Sequence, residues 1–179
     1  MNKKLTIFVM IILLLVVVPL LIWWSSYNKI VSFDEQIESS WAQVETVLQR
    51  RYELVPDLVN TVKDYASNEK ELFEEVTRLR SKWAGAKTSD AKVKAANALE
   101  SVLGRLMVVA ENYPGLKANQ KFMALQNELA GTESRISVER GHYNAAIEQY
   151  NRIVRRFPSN LIAAKHGFGK KDVYFEASE

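Results

Sequence analysis

An uninterrupted apolar run opens this chain and then gives way to stripes of apolar residues at helical spacing. From 5 to 24, LTIFVMIILLLVVVPLLIWW carries no charge, and at about 1.5 Å per residue it reaches about 30 Å, the hydrocarbon thickness of a bilayer. The pattern predicts a transmembrane helix, with an anchor over 1–25. A signal peptide's apolar region is shorter, about 7–15 residues, and no Ala-x-Ala site follows in WWSSYNK, so the anchor is expected to stay uncleaved. Trp23, Trp24 and Tyr27 suit the headgroup level, where an amphipathic ring finds both its environments. Pro19 can kink such a span without forbidding it.

Past the run, apolar positions recur as Ile30, Phe33, Ile37, Trp41, Val44, Leu48, Tyr52, Val55, Leu58, Val62 and Ala66, a step near 3.6 that predicts one long helix. No turn-forming pair separates Trp24 from Ile30, so the membrane helix is expected to run on into this one. Pro56 removes the hydrogen bond to residue 52 and predicts a kink there. Within 41–59 the stripe Trp41, Val44, Leu48, Tyr52, Val55 and Leu58 opposes Gln49, Arg50, Glu53 and Asp57, and Trp41, Leu48 and Tyr52 are expected in the core.

Asn68 with Glu71 resembles a capping box that ends the first helix and starts a second, with Leu72, Phe73, Val76, Leu79 and Trp83 inward. Gly85, Thr88 and Ser89 close it and cap a third, carrying Val93, Ala96, Leu99, Val102, Leu103, Leu106, Met107 and Ala110. Tyr113, Pro114 and Gly115 predict a turn. A fourth helix is expected over 119–157, with a heptad seam of Phe122, Leu125, Leu129, Thr132, Ile136, Glu139, Tyr143, Ala146, Tyr150, Ile153 and Phe157. Its polar members, Thr132 and Glu139, either fix register and partner number or line a wet edge of a bundle. Pro158 ends the helix, and 158–179 reads as irregular chain packed back on the bundle.

Composition agrees with this all-α reading, because Gly (7) and Pro (4) are few in 179 residues and long helices need few turns. The net charge of +3 includes Lys3 and Lys4, which precede the apolar run. What remains is nearly neutral, which argues against nucleic-acid binding through bulk charge. The absence of Cys removes disulfides, thiolate ligands, thiol nucleophiles and lipid-modified cysteine together. With Lys3 and Lys4 before the run and Lys29 after it, the charge rule leans toward an inner N-terminus and an extracytoplasmic domain.

Several of these stretches resemble one family. Tyr27 and Asn28, the 41–59 segment with its paired Arg50 and Arg51, Tyr65, Ala66 and Glu69, the 111–144 segment, and the closing Tyr174, Phe175 and Glu176 look like LemA, a bacterial family of membrane-anchored helical proteins. The resemblance covers nearly everything after the apolar run. It implies an up-and-down four-helix bundle with long first and last helices over 26–157, in the bacterial inner membrane as a single-pass protein. It also implies an outer N-terminus, against the charge rule.

Catalytic and metal motifs are sparse. Glu139 and His142 form one Glu-x-x-His pair, where a di-iron carboxylate bundle uses two. His-Glu-x-x-His is absent, and Gly167, Gly169, Lys170 and Lys171 lack phosphate-loop spacing. Glu69, Glu71, Glu74 and Glu75 fall where the second helix's dipole favours them. Arg50 and Arg51 are expected to pair with Glu53, Asp57 or a neighbouring chain. Arg152, Arg155, Arg156, Lys165, Lys170 and Lys171 follow one another without an intervening acid. They read either as cations dressing a helix C-terminus and a soluble tail or as a contact for anionic lipid or an acidic partner.

The expectation is therefore a membrane scaffold that self-associates, with the bilayer, a second copy and a membrane-protein partner as what it touches. No catalysis, cofactor or metal is expected. Thr132, Glu139, Tyr143, Arg152, Arg155 and Arg156 are the candidate interaction residues. The alternatives are an adaptor for a membrane protease or transporter, and a metal-binding enzyme using Glu139 and His142.

Overall fold

Helix α1, Lys3–Lys63, carries both the apolar run and the first amphipathic stripe without a break. In this computed structural model, which describes residues 3–175, five further helices follow: α2 Lys70–Gly85, α3 Ser89–Glu111, α4 Pro114–Lys117, α5 Gln120–Val154 and α6 Ser159–His166. The chain is all-α, with no strand among the described residues. Met1 and Asn2 of the expected anchor, and Glu176 of the family-like ending, lie outside them.

The stripe predicted for α1 is realised except at Phe33 and Trp41, which are half-buried, and at Ala66, which lies past the helix end. Ile30, Ile37, Val44, Leu48, Tyr52, Val55, Leu58 and Val62 are buried, while every side chain from 7 to 22 is exposed. The helix continues through Pro56. Proline has no N–H to offer the Tyr52 carbonyl, and Arg80 Nε donates to that oxygen instead, at 3.4 Å.

Helix ends follow local hydrogen bonding. Rather than running up to Asn68, α1 stops at Lys63, where Tyr65 and Ala66 both donate to the Val62 carbonyl. The expected Asn68 cap is not formed: Glu69 N donates to Ala66 O, which turns the chain one residue later and leaves Glu69 at the cap without a side-chain bond. Thr88 does cap α3, its Oγ1 accepting from Ala91 N at 3.2 Å. The Tyr113–Gly115 turn tightens into α4, with Pro114 in its first turn. Asn119 then caps α5, its Oδ1 accepting from Lys121 N and Phe122 N.

The tail expected to be irregular contains α6. Its helix stops at Gly167, whose φ of 77° is left-handed and easy only for glycine. Phe168 N closes the end on the Ala163 carbonyl at 2.9 Å. Pro158 before and Gly167 after a helix-forming octet were the available start and stop signals.

The chain forms two units. The first comprises residues 3–39 and 145–172. In it Asp34 pairs with Lys171 at 2.5 Å, and Lys171 Nζ lies 5.3 Å from the Tyr150 ring centre. Asn151 exchanges two hydrogen bonds with the Lys171 backbone, donating from Nδ2 at 2.7 Å and accepting on Oδ1 at 2.9 Å.

The second unit comprises residues 40–144 and 173–175. Here the later part of α1 meets α2, α3 and the first part of α5 as a four-helix bundle. Ion pairs cross it: Glu45 with Lys92, Glu75 with Arg105, Arg50 with Glu128, and Arg51 with Glu133. The two arginines thus pair within the chain, with glutamates of α5 rather than with Glu53 or Asp57.

The α5 seam is covered from Phe122 to Tyr150 except at half-exposed Glu139, and burial then spreads to Ile147, Asn151 and Val154. Phe157, expected on the seam, is 75% exposed and lies past the helix end. An α-helix slips about 20° per heptad against a strict seven-residue repeat, so a stripe followed over the length of α5 drifts onto neighbouring positions.

Candidate functional site

Two clusters of polar and aromatic side chains stand out, one in each unit. In the second unit, Arg140 of α5 reaches Glu100 of α3 at 2.8 Å with 8% of its side chain exposed. Its guanidinium lies 4.9 Å from the Phe175 ring centre. Arg51 is bound to Glu133, and Tyr52 stacks on Trp83 with centroids 4.0 Å apart. Arg51, Glu100 and Glu133, with Gln126, line a cleft of about 360 Å³.

The chemistry of this cluster is self-neutralising, because each arginine already has its carboxylate. Burial pushes the Tyr52 hydroxyl far above the ordinary tyrosine range, a shift that the Arg51 and Arg140 charges only partly offset. A phenol so displaced stays protonated at neutral pH. Such a network holds α1, α3 and α5 in register rather than moving protons.

The seam residues proposed for association lie inside this bundle. Thr132 is buried and donates from Oγ1 to the Leu129 carbonyl at 2.7 Å. Tyr143 is 3% exposed, its ring 5.4 Å from Trp41 and 5.7 Å from Phe175. Burial, and secondarily the Asp90 charge, raise its hydroxyl pKa. Glu139 is half-buried and 3.3 Å from the exposed His142. The seam therefore faces its own chain, since the heptad stripe is the surface α5 needs for its intramolecular neighbours.

The second cluster, in the first unit, gathers around the end of the apolar run. Trp23 and Tyr27 of α1 lie 6.0 and 4.9 Å from the His166 ring, Tyr27 lies 6.1 Å from Phe168, and Lys165 Nζ stands 4.9 Å over Trp23. Of the six neighbouring cations, Arg152 pairs with Glu148 at 2.6 Å, Lys170 with Asp172, and Lys171 with Asp34. Arg155, Arg156 and Lys165 are exposed and have no carboxylate partner among the described residues. These cations are plain in the sequence, whereas the contact of α6 with Trp23 and Tyr27 is made by residues far apart in the chain and is not.

The model of the LemA family matches residues 40–179. The chain belongs to the LemA family. Among LemA-family relatives, magnetosome protein MamQ 2 of Paramagnetospirillum magneticum is 26% identical over 84% of this chain and 64% of its own length. Protein LemA of Metamycoplasma hominis is 25% identical, over 85% of this chain and 69% of its own. Magnetosome protein MamQ of Magnetospirillum gryphiswaldense is 23% identical over 84% and 65%. The chain thus spans a little under two thirds of the length of the magnetosome relatives. None of these names is an enzyme's, and the family match begins after the exposed apolar run.

Proposed function

We propose that this LemA-family protein is a single-pass membrane scaffold that works by association rather than by catalysis. Residues 1–25 are its anchor, 26–157 its bundle and 158–179 a tail fastened to that bundle. One observation carries this reading: every side chain from 7 to 22 is exposed, most of them large and apolar, on a helix that continues into the family domain. In water that surface would be a liability, whereas in a bilayer it is solvated.

Self-association belongs to the same reading, with its contact moved off the α5 seam. Copies held in one membrane plane meet at high effective concentration, so weak lateral contacts between anchors suffice. The Cys-free chain makes the test direct: single cysteines along 10–22 and at Thr132 and Ala146, oxidised in native membranes. Dimers are expected in a helical pattern along the anchor and absent at the two buried seam positions. Monomers at every anchor position would discard self-association and favour a hetero-partner adaptor.

A further inference from the structure

We infer that α6 and the turn before it form a second, peripheral membrane contact that docks on anionic lipid headgroups beside the anchor. The inference rests on the anchoring reading above and concerns the first unit alone. Lys165 and His166, at the end of α6, lie against Trp23 and Tyr27, rings that close the apolar run. If that run fills the hydrocarbon core, those rings lie at headgroup level, and α6 lies there with them.

The rest of the tail runs away from that level. Phe168 is still beside Tyr27, whereas Lys171 is already at Asp34, about 10 Å farther along α1 at 1.5 Å per residue. The end of α5, the reversing turn and α6 are thus the part of this unit nearest the bilayer.

What this end presents fits a lipid surface. Phe157 is 75% exposed and Leu161 58% exposed, two large apolar groups left mostly uncovered by the described residues. Arg155, Arg156 and Lys165 flank them, exposed and without a carboxylate partner among the described residues, while the other three cations of the stretch are each neutralised within the chain. Apolar groups entering the interface beside cations that meet phosphates is the balance of an interfacial contact. Each cation near an anionic surface shifts the docked-to-free ratio about fivefold, so the three together shift it about 100-fold.

The test uses the full chain reconstituted into vesicles with brominated acyl chains, of phosphatidylcholine alone or mixed with phosphatidylglycerol. An environment-sensitive fluorophore is placed on one cysteine at a time: Leu15→Cys in the anchor, Phe157→Cys, Leu161→Cys, and Ser39→Cys as an outlying control. Bromine quenching is expected at 157 and 161 well above that at 39, stronger with phosphatidylglycerol. The triple change Arg155→Gln, Arg156→Gln, Lys165→Gln should abolish the phosphatidylglycerol dependence while leaving the helical circular dichroism unchanged.

Quenching at 157 and 161 no greater than at 39, with Leu15 fully quenched, would overturn the inference and leave the anchor standing. Quenching that ignores both lipid charge and the triple change would overturn it too, since the cations would then have no part in docking. An unquenched Leu15 label would remove the anchor reading itself, and this contact with it.

Discussion

With 8% of its side chain exposed, the guanidinium of Arg140 is tolerated in the bundle because Glu100 lies 2.8 Å away and the Phe175 ring covers it. Removing one partner of an enclosed pair strands the other, which costs about 3–5 kcal/mol when both are fully buried. Glu100 keeps 27% of its side chain in solvent, so Arg140→Ala is expected to cost about 2–3 kcal/mol. Arg140→Met combined with Glu100→Gln should recover most of the lost thermal midpoint. Trp41 differs from its expected place, being half-buried beside Leu48 and Tyr52, which are buried. It gains its cover from Tyr143 and Phe175, so Trp41→Ala should cost about 2 kcal/mol, less than the 3–5 of a fully enclosed ring. Urea unfolding of the full chain in detergent measures both. The apolar stripe around these residues was legible from spacing alone. The ion-pair partners of Arg50, Arg51 and Arg140 were not, because Glu128, Glu133 and Glu100 lie far along the chain from them and nothing in local periodicity selects them.

At the scale of elements, two asparagines of α5 fasten the last part of the chain. Asn151 holds the Lys171 backbone in the first unit, and Asn144 holds that of Phe175 in the second, each donating to the carbonyl and accepting from the N–H. A side-chain amide here substitutes for a neighbouring peptide group, which lets an extended segment lie on a helix without a strand partner. Asn144→Ala should therefore speed amide exchange at Phe175 at least about tenfold, a loss of about 1.4 kcal/mol in local opening energy, while the α3 amides keep their protection. Asn151→Ala should do the same at Lys171. Equal acceleration throughout the bundle would instead indicate a global loss of stability. Family resemblance pointed to Asn144 and Phe175 as residues, but their pairing is a tertiary fact.

For the molecule as a whole, three tyrosines set a limit at alkaline pH. Burial raises the hydroxyl pKa of Tyr52, Tyr143 and Tyr150 above the ordinary value of 10.0. An acid whose folded pKa exceeds its unfolded one favours the folded state fully below the unfolded pKa and loses that contribution as pH rises toward the folded one. Their contribution to stability is thus constant through neutral pH and declines above about pH 10. Tyr52→Phe should flatten that decline. Because the Tyr52 hydroxyl is buried without a hydrogen-bond partner among the described residues, the same change removes an unsatisfied polar group and should raise stability near pH 7 by about 1 kcal/mol. Thermal midpoints from pH 7 to 11 test both statements.

The sequence by itself determined what depends on neighbours a few residues away. These are the length and apolarity of the run over 5–24, the helices with their covered stripes, the Thr88 cap and the all-α class, all of which follow from periodicity and local hydrogen bonding. Tertiary structure decided what those stripes face and which charges remain. It turned the heptad of Thr132 and Tyr143 inward, because α5 needs that surface for α1 and α3. It neutralised Arg50, Arg51 and Arg140 with glutamates distant in sequence, and it left Arg155 and Arg156 before α6 and Lys165 within it without a carboxylate partner among the described residues. A pattern states that a face is apolar or charged, while the partner that covers it is selected only when the whole chain has folded.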